Sequence, residues 1–164
     1  MYLESERLTY KKFTPAHFEN YFGLVSRQEV MRYITGLPLD YELAKKRFQV
    51  ALDADQDRAD MGFLAVFEQS REDFIGLAKI VPFGDNLTEI GYALLPEYWG
   101  KGYASEITAR LIEYARQLGT ISLLIALVVP ENQSSIHVLT KQNFSFFREI
   151  REEKLVRHDY ILYL

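Results

Sequence analysis

Hydrophobic and polar positions change period several times along the chain. Leu8–Lys12 alternates like a short strand. Thr14 then precedes Pro15, an N-cap followed by proline at the first helical position, and a helix is expected to run to about Leu24. Phe18, Tyr21 and Phe22 share one face of it. Residues 26–38 read as irregular, punctuated by Gly36 and Pro38. Asp40 is placed to cap a helix over 41–55, where Leu43, Ala44, Arg47, Phe48, Ala51 and Leu52 recur at helical spacing. The acidic stretch 53–60 reads as exposed.

Strands follow at 63–68, 74–82 and 88–95, separated by turns at 69–73 and at Gly84, Asp85 and Asn86. After a loop at 96–102, Tyr103–Leu118 is a strongly amphipathic helix with Ile107, Leu111, Ala115 and Leu118 along its apolar stripe. Glu106 and Arg110 are expected to pair on its wet side, and Gly119 to cap its end. Residues 121–129 are almost wholly apolar, the pattern of a strand buried on both faces, and Pro130 stops them. A short helix at 134–141 and strands at 145–154 and 157–164 complete the chain. This order predicts an α/β (α+β) three-layer architecture rather than a sandwich or a bundle. With no repeat, low-complexity tract or Pro/Gly/Ser-rich linker, residues 1–164 read as one domain.

Composition narrows the chemistry. The 164 residues contain no Cys, which removes thiolate nucleophiles, disulfides and Cys-based metal sites. His17, His137 and His158 are scattered and make no metal-binding spacing, so no metal is expected. A net charge of −4 argues against a nucleic-acid footprint. The longest apolar run, 123–129, is far short of the ~20 residues that span a bilayer. The charged N-terminal residues do not resemble a secretion signal, so a cytoplasmic setting with no membrane partner is expected.

The informative segment is TEIGYALLPEYWGKGYAS, residues 88–105. A strand leads into Gly100-Lys101-Gly102, which opens a helix. Such a junction exposes backbone N–H groups that the helix cannot use internally, at the positive end of its dipole. Hydrogen bonds to a charged group contribute ~1.5–3 kcal/mol each and the dipole ~0.3–1 kcal/mol, so the amide array is the stronger anchor. A diphosphate is the natural ligand, with Lys101 as a nearby positive charge. The GxxxxGK[ST] phosphate loop is missing. A dinucleotide fingerprint would need a third glycine where Ser105 stands, directly after its strand. A third reading, competing with these two, is the diphosphate loop of an acyl-CoA-binding transferase.

Here the residues resemble the GNAT superfamily of N-acetyltransferases, above all its Rim-type branch, the ribosomal-protein N-terminal acetyltransferases. The family pattern (Arg/Gln)-x-x-Gly-x-(Gly/Ala) falls on Trp99, Gly100, Lys101, Gly102, Tyr103 and Ala104, with Trp99 departing from the first position. The likeness extends through ESERL at 4–8 and PENQSSIHVLTKQNF at 130–144. It implies a mixed, mostly antiparallel sheet whose strands 88–95 and 121–129 are parallel, central and splayed, with helices on both faces. It also implies acetyl-CoA as co-substrate, its pantetheine arm pairing with the backbone of Ala93, Leu94 and Leu95. Its diphosphate would lie on the amides of Trp99, Gly100, Lys101, Gly102, Tyr103, Ala104 and Ser105.

By the same resemblance, Asn132 contacts the cofactor arm, Ser135 lies near the thiol and is the second catalytic candidate, a modest donor to the leaving sulfur, and Glu89 is the general base. The tyrosine that many relatives use as general acid would fall at Leu139 and is missing, and Asn143 stands at a usual glycine. A glutamate near ~4.3 is a weak base toward an amine near ~10, so burial or an ordered water must assist it. The expected reaction is direct acetyl transfer to a primary amine, on a small molecule or a protein N-terminus. A non-catalytic CoA-binding module and a nucleotide-dependent oxidoreductase are the competing readings. Tyr33, Tyr92 and Tyr160 are candidates for an acceptor pocket, with core packing the favoured reading in a chain of 11 tyrosines, and relatives of this kind often form homodimers.

Overall fold

A computed structural model describes residues 1–54, 59–84, 86–153 and 155–164. The middle of the acidic stretch, Asp85 of the turn and position 154 lie outside the described residues. Eight strands form one sheet: β1 (Tyr2–Glu4), β2 (Leu8–Lys12), β3 (Gly62–Glu68), β4 (Asp73–Phe83), β5 (Leu87–Leu94), β6 (Leu123–Val128), β7 (Ser145–Glu152) and β8 (Leu155–Tyr163). Their order is β1-β2-β3-β4-β5-β6-β8-β7, and every neighbouring pair is antiparallel except β5 with β6.

The helices are α1 (Phe18–Val25), α2 (Gln28–Met31), α3 (Tyr41–Asp53), α4 (Tyr103–Leu118) and α5 (Gln133–Lys141). Asp40 caps α3 through Oδ1, which accepts from the Leu43 N–H at 2.8 Å. Gly119 ends α4 in the left-handed region. Asn143, at φ 65, takes the left-handed turn that glycine would otherwise supply. The segment after Thr14 is first a 3-10 turn, Pro15–His17, and becomes α-helical only at Phe18. The strand β1 and the single turn α2, inside a segment read as irregular, are additions to the expected elements.

Two cores flank the sheet. On one face Leu64, Val66, Ile80, Ile90, Leu94 and Leu162 pack with Ile107, Leu111 and Ala115 of α4. On the other, Ala65 and Ala93 pack with Tyr21, Leu24 and Phe48 of α1 and α3. Successive strand residues alternate between these layers, so the burial pattern fixes which face each polar residue occupies. Glu106 and Arg110 do not pair as expected: Glu106 turns to Arg7, and Arg110 bonds Glu113 and the Glu4 carbonyl. The loop before β2 covers that part of α4, so its flank is not the free wet surface that periodicity suggested.

Candidate active site

The central strands β5 and β6 pair at only two positions, Thr88 with Leu124 and Glu89 with Ile125. Beyond them β5 continues to Leu94 and β6 to Val128 without pairing, so the strands part. The opening is a cleft of about 540 Å³ that passes between the two faces of the sheet. Tyr92, Thr108, Leu111, Ser135 and Leu139 line it on the α4 face, and Tyr21, Phe63, Lys79 and Glu89 on the α1/α3 face.

The edge that β5 offers to this opening follows from its pairing with β4. The Leu95 N–H donates to the Ile75 carbonyl at 2.9 Å, so Leu95 faces β4. Alternation in an antiparallel pair sends the Ala93 amide the same way and turns the amides of Ile90, Tyr92 and Leu94 to the other edge, where the β5–β6 register commits Ile90 to the Ile125 carbonyl and leaves Tyr92 and Leu94 toward the cleft. The Leu94 carbonyl already accepts from the Trp99 indole Nε1 at 2.8 Å. Of the three residues expected along the cofactor arm, Leu94 is therefore the one with its N–H toward the opening.

Ahead of α4, Gly100 (φ 70) and Gly102 (φ 81) both adopt left-handed backbone, which a side chain would strain. Among the described residues, none of the N–H groups of Gly100, Lys101, Gly102, Tyr103, Ala104 and Ser105 donates within the protein. The array forms a concave nest of the kind that binds anions. The Trp99 N–H stands outside it, donating to the Pro96 carbonyl at 3.1 Å, and the Trp99 ring packs on the strand end.

A brace from the N-terminus holds this loop. Arg7 donates from its backbone N–H and from Nε to the Glu106 carboxylate, both at 2.8 Å, and from Nη1 to the Lys101 carbonyl at 2.9 Å. Its guanidinium lies 4.3 Å from the centre of the Tyr103 ring. Ser5 Oγ adds a bond to Glu106 at 2.7 Å. Burial alone would raise the Glu106 carboxyl, but the bonds from Ser5 and Arg7 outweigh it and hold the group below its ordinary value. The stabilisation is thus complete above the ordinary carboxylate range and is lost as pH falls through the lowered value. In thermal melts, the gap in Tm between the native protein and Glu106→Gln should be full at neutral pH and shrink below about pH 4. A gap that stays constant as the pH falls contradicts this role.

Glu89 is buried on β5 and pairs with Lys79 Nζ on β4. Gly91 opposes Lys79 in the ladder and makes room for it, since a Cβ there would lie 2.9 Å from Lys79 Cε. Lys79 was not anticipated, although the hairpin register between 74–82 and 88–95 carries the signal. Across the cleft, Asn132 Oδ1 caps α5 by accepting from the Ser135 N–H at 3.2 Å. The Tyr92 hydroxyl donates to Ser135 Oγ at 3.1 Å. Burial pushes the Tyr92 phenol up, against a smaller opposing effect of the Ser135 bond, so it remains protonated at neutral pH. Tyr33 also borders the cleft, whereas Tyr160 lies in the α4-side core.

Residues 7–145 match the family described as the acetyltransferase (GNAT) domain. The chain belongs to the GNAT acetyltransferase family. It is accordingly an acetyl-CoA-dependent N-acetyltransferase. The uncharacterized N-acetyltransferase p20 of Bacillus licheniformis is 30% identical over 145 residues, 87% of this chain and 81% of the relative. The RimL ribosomal L7/L12 α-N-protein acetyltransferase, solved with coenzyme A, superposes with a TM-score of 0.85 at 16% identity, covering all of this chain and 98% of the other. The spermidine N-acetyltransferase of Vibrio cholerae, solved with CoA and spermine, gives 0.82 at 17% identity, covering 97% and 96%. These two likenesses establish a shared fold with this GNAT chain. Among its described residues no helix is long and apolar enough to cross a membrane.

Proposed function

We propose that this acetyltransferase moves the acetyl group directly onto a primary amine that enters the cleft from the α1/α3 face, while acetyl-CoA occupies the α4 face. The observation that carries this reading is the parting of β5 from β6 after two paired positions, beside a loop with six uncommitted amides. The loop fits a diphosphate, and the unpaired edge of β5 fits an extended amide-bearing arm. Gly100 through Ser105 hold the anion, Arg7 and Glu106 keep that loop in shape, and the Tyr92 and Leu94 amides line the arm.

Glu89 takes the proton of the attacking amine, directly or through one water, from the acceptor face. The amine nitrogen bonds the acetyl carbon, the carbon–sulfur bond breaks, and the sulfur leaves as a thiolate on the opposite face. Tyr92 and Ser135 stand there in place of the tyrosine missing at Leu139. A phenol raised by burial is a weaker acid than a thiol near ~8.5 and its hydrogen is engaged by Ser135 Oγ, so Tyr92 orients Ser135, whose own hydroxyl hydrogen steadies the leaving sulfur, and solvent completes the protonation. A β5 amide facing the cleft supplies the donor for the developing oxyanion. Without Cys, no thiol acyl-enzyme is available to the chain.

The test is release of free thiol from acetyl-CoA across a panel of amines and N-terminal peptides, with the acetylated product identified by mass. Thiol and acetyl-amine in equal amounts are expected from at least one class. Binding of CoA with no turnover on any amine overturns the reading.

A further inference from the structure

The charges around the acceptor half of the cleft are one-sided. Among the described residues, the charged side chains that line it are Arg47 on α3, Lys79 on β4, Glu89 on β5 and Arg157 on β8. The carboxylate of Glu89 is already engaged by Lys79. Among the described residues no other acidic side chain lines the wall, although the chain as a whole carries a net charge of −4. The bias is local, and overall composition does not produce it.

Arg157 is held rigidly. Its Nε donates to Asp159 Oδ1 at 2.7 Å and its Nη2 to Oδ2 at 3.3 Å. Asp159 is fully buried and also accepts from Arg148 Nε at 2.7 Å. Two guanidinium groups share one carboxylate, so the cluster keeps a positive charge. The paired contact fixes the plane of Arg157, and among the described residues its Nη1 donates to nothing. Arg47 is exposed and makes no hydrogen bond or ion pair among the described residues. Neither arginine faces the diphosphate loop. Arg47 rides on α3, across the sheet from α4. On β8, Tyr160 and Leu162 pack in the α4-side core, so alternation turns Arg157 and Asp159 to the other face. Their cations meet whatever enters beside Glu89. The rest of that half is apolar or aromatic, with Val25, Met31, Phe63 and Tyr21.

Building on the function proposed above, we infer that the acceptor is a primary amine whose apolar body carries an anionic group, a carboxylate or phosphate, received by Arg47 and Arg157. A polyamine meets the opposite of what it needs: among the described residues its remaining ammonium groups find two arginines and no uncommitted carboxylate. The anionic group belongs either to a free small molecule or to an acidic side chain near a peptide N-terminus.

The experiment compares kcat/KM for amines on one apolar skeleton ending in carboxylate, phosphate, primary amide or a second amine, with spermidine and N-terminal peptides with or without an acidic second residue alongside. The anionic members should exceed their amides about tenfold or more, the magnitude of a hydrogen bond to a charged group, and the diamines should be slowest. Arg47→Glu, at an exposed position, should erase or invert that order without changing the KM for acetyl-CoA. Arg157→Gln should raise the KM for anionic amines, and a melt at native temperature shows that the variant is folded. Preference among the free amines and among the peptides separates the two sources of the anion. Efficient turnover of diamines or amides with no anionic preference, or an order unmoved by Arg47→Glu, overturns the inference while leaving the transferase reading intact. Absence of turnover on every amine overturns both.

Discussion

Glu89→Gln is expected to lower kcat by about 10²–10⁴ while leaving acetyl-CoA binding unchanged, the range typical of losing a positioned general base. The glutamine keeps the shape of the side chain, so strand pairing and packing survive. Lys79 loses its partner, but it is partly exposed and reaches water, which limits the cost to folding. On the mechanism proposed above, the native enzyme removes the amine proton within the complex. The variant must instead wait for acceptor that is already neutral, and for an amine near ~10 that fraction grows tenfold per pH unit below its pKa. Its residual rate should therefore climb with pH over a wider range than the native rate. Binding can be followed separately through Trp99, the single tryptophan of the chain, which stands half-exposed beside the loop ahead of α4. Unchanged kcat with normal binding removes Glu89 from the mechanism.

Gly76→Ala should be the most damaging conservative change in the sheet. Gly76 on β4 faces Leu94, and a Cβ there would sit 2.1 Å from the Ala93 carbonyl oxygen and 2.9 Å from Leu94 Cα. Both obstacles are backbone, so no rotamer relieves them, and β4 must move away from β5 at the point where β5 borders the cleft. The expected loss is about 3 kcal/mol or more, or roughly 6–12 °C in Tm for a domain of this size. Gly23→Ala supplies the contrast. Gly23 is exposed within α1 with nothing within 4 Å of the added carbon, so it should stabilise by about 0.5–1 kcal/mol. Equal melting behaviour of the two variants would show that the close approach at Gly76 is relieved by a small backbone shift.

Features decided by local chemistry were legible in the sequence. Asp40, Gly119 and Asn143 each act within a few residues of themselves, and each does what its side chain or backbone freedom suggests. The junction at Gly100 and Gly102 was legible for the same reason. The three-residue β1 and four-residue α2 are too short to establish a period. Long-range partners were the main loss. Glu106 has an arginine one turn away in Arg110, yet it pairs with Arg7, which only the closed fold brings near. Lys79 and Glu89 are joined by a register that the hairpin allows to be drawn, but Gly91 had to be recognised as the gap that lets the lysine lie across. Arg47 and Arg157 come from elements distant in sequence and share only the cleft they line.

Amide hydrogen exchange with and without coenzyme A most directly tests whether the amides ahead of α4 and the free edge of β5 hold the acyl donor. Slowed exchange at residues 100–105, and at Tyr92 and Leu94 where β5 has left β6, is the predicted result, with β3 unaffected. Coenzyme A that binds while the amides of 100–105 exchange as before, with protection confined elsewhere, would contradict it.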